Sequence, residues 1–128
     1  MRRWAAASLA ALAAACAPAD RKAEPAAPAP LAELDCARGY DALAAEIAAQ
    51  PDLVQAPSPG EPYRFLNHRS GTPSFVVTLP EAPAHPAILK QESLAGGMRT
   101  TGCRFGDQAA YDQLVTYIES LAARRGGR

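Results

Sequence analysis

The placement of proline does most to limit what this 128-residue chain can fold into. Proline lacks an N–H and clashes with the preceding helical turn, so it is kept out of helix interiors and central strands. The twelve prolines fall in three groups, at residues 18–30, 51–62 and 73–86. Regular structure is therefore pushed into the stretches between them, and beyond Pro30 only residues 31–50 and the stretch after Pro86 have room for a long element. A length of 128 residues allows one domain at most. The hydrophobic fraction of 48% overstates the core, because alanine supplies much of it and buries little area per residue. Beyond Trp4, the aromatics are Tyr40, Tyr63, Phe65, Phe75, Phe105, Tyr111 and Tyr117. So modest a core profits from a covalent staple.

The first sixteen residues read as an export signal. Arg2 and Arg3 form a positive start, and residues 4–15 are an uncharged run of alanine, leucine, serine and tryptophan ending at Cys16. As a helix that run spans about 18 Å, short of the ~30 Å hydrocarbon core, so it is no permanent membrane span. Small residues up to Ala14-Ala15 before Cys16 resemble the lipobox of bacterial lipoproteins. The resemblance covers only these sixteen residues. It implies that residues 1–15 are removed and that Cys16 becomes the diacylated first residue, anchored in the bacterial envelope and facing the periplasm, in the outer rather than the inner membrane. The alternative is cleavage after Ala13-Ala14-Ala15 or Ala17-Pro18-Ala19, which gives a soluble periplasmic protein.

Residues 16–32 carry four prolines and a single large apolar residue, Leu31, and are expected to act as a semi-extended, disordered tether. Thirteen basic and thirteen acidic residues balance in the whole chain. Without Arg2 and Arg3 the remainder has eleven against thirteen, a net charge of −2. This lacks the clustered basic excess of a nucleic-acid binder, so no nucleic-acid partner is expected.

With Cys16 lipidated or removed, Cys36 and Cys103 remain, an even pair in an oxidising compartment. They read as one structural disulfide. A metal or redox role draws no support, since no Cys-x-x-Cys occurs and no histidine stands near either cysteine.

Residues 33–123 are expected to form a single α+β domain, followed by a disordered tail at 124–128. Apolar residues at 40, 43, 44 and 47 give a helix, with Asp35 as a candidate N-cap, Gly39 weakening its first turn and Pro51 ending it. Residues 51–62, with four prolines, read as loop. Four strands are predicted at 63–68, 74–79, 87–94 and 98–103, with turns at 69–72 and at Gly96-Gly97. A last helix starts at N-cap Asp107, with apolar residues at 111, 114, 115, 118, 121 and 122. The predicted order is α-β-β-β-β-α, a four-stranded antiparallel meander with both helices on one face.

No catalytic, phosphate-binding or metal-binding motif occurs, and no cofactor is expected. His85, in the stiff loop Pro83-Ala84-His85-Pro86, is a candidate for ligand contact or proton transfer. Its plainer reading is a loop histidine bonded to a nearby carbonyl. His68 beside Arg69 is a second candidate, plainly read as a solvated turn residue. Arg64, Arg69, Lys90, Arg99 and Arg104 could form a basic patch, with Glu92 among them. Three functions are compatible with these features. The leading one is a non-catalytic envelope lipoprotein that contacts a protein or cell-wall partner through an open sheet face or the proline-rich loops. The others are a small periplasmic enzyme using His85 or His68, and a secreted inhibitor or stress-protective module.

Overall fold

The structure is a computed structural model and describes Leu31 and residues 33–126. Cys16, the signal segment and most of the tether lie outside the described residues. Leu31 packs against the core, so the folded part reaches back to it. A single 3-10 turn, Cys36–Arg38, precedes helix α1, Tyr40–Ala48. Five strands follow: β1 Leu53–Ala56, β2 Tyr63–His68, β3 Ser74–Thr78, β4 Ala87–Leu94 and β5 Gly97–Arg104. Helix α2, Gln108–Gly126, follows and takes in residues 124–126, which the sequence assigns to a tail. The strands form one sheet in the order β1-β2-β3-β4-β5, every neighbouring pair antiparallel.

Local chemistry explains the start of each helix. Asp35 accepts a hydrogen bond from the Ala37 N–H at 3.1 Å and caps the 3-10 turn rather than α1. Gly39 (φ 84°) adopts a conformation that other residues avoid, ends that turn, and lets α1 restart in a new direction. Asp107 caps α2 as expected, accepting from the Ala110 N–H at 2.8 Å.

The α+β class holds, but the sheet has five strands where four were expected. β1 lies inside the stretch read as loop. It has only four residues between Pro51 and Pro57, and its Val54 is exposed. So short a segment shows no alternation. It is a strand because β2 offers a free edge, and Leu53 to Ala56 pair along it from His68 to Phe65.

The helices also lie on opposite faces, not on one. Register partners point to the same side of a sheet, and successive residues to opposite sides. Leu43 and Ile47 of α1 pack on Leu66, Phe75, Val77, Ile88 and Cys103. Leu114 and Ile118 of α2 pack on Val76, Ala87 and Leu89, the alternate residues of the same strands. The central strands β3 and β4 are thus buried on both sides. The molecule is a three-layer helix–sheet–helix sandwich, and neither face of the sheet is left open as a whole.

Cys36 and Cys103 stand at disulfide bonding distance, with Sγ atoms 2.03 Å and Cα atoms 5.4 Å apart. Cys103 pairs with Ile88 on the α1 face, so the bridge ties the turn before α1 to the edge strand β5. One residue earlier the chain does the opposite job. A Cβ on Gly102 would lie 2.5 Å from Leu89 Cδ2, 2.5 Å from Tyr111 Oη and 2.6 Å from the Ile88 carbonyl oxygen. Its bare backbone lets α2 approach the sheet. Gly102→Ala is expected to cost about 1–3 kcal/mol, because the Ile88 carbonyl cannot move aside as a flexible side chain could. Urea denaturation of the two proteins measures this.

Candidate functional site

Among the described residues, two hollows on opposite sides of the sheet gather polar side chains, and a further one of about 200 Å³ holds Lys90, Glu92 and Arg99. The largest is a groove of about 670 Å³ on the α2 side. Its floor is a polar row across three strands. Ser74 of β3 pairs with Gln91 of β4, and Gln91 with Thr100 of β5; Gln91 Nε2 donates to Thr100 Oγ1 at 3.3 Å. Ser93 and Met98 form the next row, with Met98 half exposed. The helix wall is Ala122 and Ala123, flanked by Glu119 and Arg125. The trough exists because α2's large apolar residues end at Leu121, and alanines follow where the strands offer serine and threonine.

The second hollow, about 300 Å³, lies on the α1 side and brings His85 and Arg64 together. Tyr40, Asp41 and Gln55 join them over the buried side chains of Leu66 and Val77. His85 is held through Thr78. The Thr78 hydroxyl donates to the Ala87 carbonyl at 3.0 Å and accepts from the Ala87 N–H at 2.9 Å, carrying the β3–β4 ladder one step past Val77–Ile88. Having given its proton to Ala87, Thr78 Oγ1 can only accept from His85 Nδ1, 3.0 Å away. The Thr78 carbonyl, 3.2 Å from the same nitrogen, can only accept as well. The proton of the neutral ring therefore sits on Nδ1, and Nε2 carries the lone pair.

Tyr40 also lines this hollow. Its ring meets His85 edge to face at 4.9 Å, and its hydroxyl donates to the Thr78 carbonyl. Burial first, with the charge of Asp41, pushes the Tyr40 phenol above its usual pKa, while the Thr78 side chain and the charge of Arg64 pull the other way.

The remaining sequence candidates lie elsewhere. His68, at the end of β2, turns inward on its own hairpin: Nδ1 accepts the Ser70 N–H at 3.1 Å and sits 2.6 Å from Ser70 Oγ. His68 is half-buried at the strand end rather than a solvated turn residue, and it does not share a hollow with His85 among the described residues. Arg99, on β5, stands 3.7 Å from Glu92, which also pairs with the buried Lys90. The Lys90 bond first, and the charges of Lys90 and Arg99 with it, hold the Glu92 carboxyl below its ordinary pKa, against the opposing pull of burial. The basic residues form no single patch. Arg64 and Arg99 are three strands apart, Lys90 is buried and paired, and Arg104 points to the other face and donates to the Gly106 carbonyl. The sequence reading passed over Tyr40, Asp41 and Gln55. Tyr40 fitted an apolar helix stripe, and Gln55 lay in the stretch read as loop. No protein-family model matches the chain, and searches of curated proteins and of solved structures find no match.

Proposed function

We propose that the chain is an exported, non-catalytic binding protein of the bacterial envelope, lipid-anchored at Cys16 and held off the membrane by the alanine- and proline-rich residues 17–30. The anchor reading rests on the sixteen N-terminal residues. The binding reading is carried by the groove beside α2. Its Ser74–Gln91–Thr100 row offers neutral donors and acceptors, and Glu119 and Arg125 offer one charge of each sign. Such a lining suits a polar, extended partner, a peptide segment of an envelope protein or of the cell wall, whose own amides can bond to it.

The anchor and the groove are tested separately. Membrane fractionation of wild type beside Cys16→Ser is expected to move the protein from the membrane to the soluble fraction. Equal solubility of the two would mean a soluble periplasmic protein. For the groove, a photo-crosslinking residue at Met98 is expected to capture an envelope partner in cells, and Ser93→Arg, which fills the trough, to abolish the adduct. An adduct untouched by Ser93→Arg would remove the groove from the reading.

A second reading, a small periplasmic enzyme using His85, is favoured by one feature. Thr78 fixes the proton on Nδ1 and leaves the Nε2 lone pair available for proton transfer. A turnover assay that loses its signal in His85→Gln and not in His68→Gln would support it.

A further inference from the structure

We propose that the α1-side hollow binds a small zwitterion of the α-amino-acid type, its ammonium group held by Asp41 and His85 and its carboxylate by Arg64. This goes beyond the groove-binding reading and does not rest on it.

The first support is an arrangement of charge. Arg64 and Asp41 line the same hollow, together with Tyr40. Yet among the described residues they form no ion pair, with each other or with any other group. A simple anion placed here would meet Asp41, and a simple cation would meet Arg64. A ligand that carries both charges at short separation satisfies both walls and leaves no like-charge contact.

The second support is the imidazole. In the neutral ring Nδ1–H is committed to Thr78, so Nε2 can only accept. An acceptor beside a carboxylate suits an ammonium, which has three N–H groups to place. Gln55 offers an amide that can serve the carboxylate next to Arg64. The third support is size. A volume of about 300 Å³ is at the small end of ligand sites and leaves room for an amino acid. The buried Leu66 and Val77 give it an apolar floor, so a small apolar side chain is preferred.

The chain has two histidines, and this makes a clean assay. The full-length protein, purified in detergent, is titrated with free alanine, N-acetylalanine or alaninamide while the histidine ring resonances are followed by NMR. Alanine is expected to shift the His85 resonances saturably and leave those of His68 in place. The two blocked compounds, each lacking one charge, are expected to bind at least about fivefold more weakly. Arg64→Gln and Asp41→Asn replace exposed residues, so unchanged thermal unfolding is expected beside a similar loss of alanine affinity. Absence of a His85 shift at saturating alanine would overturn the proposal. So would equal binding of N-acetylalanine, which would mark an anion site only, or equal binding of alaninamide, a cation site only.

Discussion

Replacing both bridge cysteines, in Cys36→Ala/Cys103→Ala, is expected to lower the free energy of unfolding by about 4 kcal/mol. The two cysteines are 67 residues apart, and the loop they close holds α1 and all five strands up to the end of β5. A cross-link that long removes much of the freedom of the unfolded chain, which is the main source of its effect. Small domains are stable by only about 5–15 kcal/mol in total, so the loss takes a large part of the margin. Cys36 is exposed while Cys103 is buried, so reductant can reach the bridge from one side of the folded protein. Urea unfolding of the wild type with and without reductant, beside the double variant, measures the effect. A midpoint unmoved by reductant, together with labelling of both thiols under denaturing, non-reducing conditions, would mean that no bridge forms in the exported protein.

Phe75→Ala is expected to cost about 3–5 kcal/mol, the range for emptying a fully buried aromatic site. Phe75 is 1% exposed and sits on the α1 side of β3 among Leu43, Ile47 and Leu66. Leu114→Ala, in the cluster under α2, is expected to cost about 2–5 kcal/mol. Their combination is the sharper measurement. The two side chains belong to separate clusters on opposite faces of the sheet, so the double variant should lose the sum of the two within about 0.5 kcal/mol. A clearly non-additive result would show that both helices share one core, as an arrangement on a single face requires.

That distinction was partly readable in the sequence. A strand with one buried face alternates apolar and polar residues, but Ser74-Phe75-Val76-Val77 does not, and neither does Ala87-Ile88-Leu89. Unbroken apolar runs in the two central strands are the mark of a sheet covered on both sides. Reading only Phe75 and Val77 as the inward set hid Val76, on which α2 depends. The missing strand β1 had no comparable signal. Leu53-Val54-Gln55-Ala56 is too short for a period, and its pairing comes wholly from β2. The α1-side hollow was half legible. His85 stood out because prolines flank it and Arg64 because it lies in a strand, but nothing local linked them. Residues 64 and 85 meet because β2 and β3 are neighbours and the loop after β3 folds back until His85 reaches Thr78.

Asp35 caps the turn before α1 rather than α1 itself, and the last hairpin turns at Ala95-Gly96, since Gly97 already pairs with Leu94 in β5. What the sequence alone determined is both helices, four of the five strands, their order, the cap at Asp107 and the pairing of Cys36 with Cys103. All of these follow from local rules: where proline is excluded, which side chains satisfy free N–H groups, and how cysteines count in an oxidising compartment. Only the tertiary structure decided which face each helix covers, that a fifth strand completes the edge, and which polar side chains line a common hollow. In a meander every connection between strands is a hairpin, so no crossover fixes the side to which a terminal helix returns. Packing chose it. Cys103 draws the start of α1 to one face, and Gly102, one residue away and pointing to the other, admits α2.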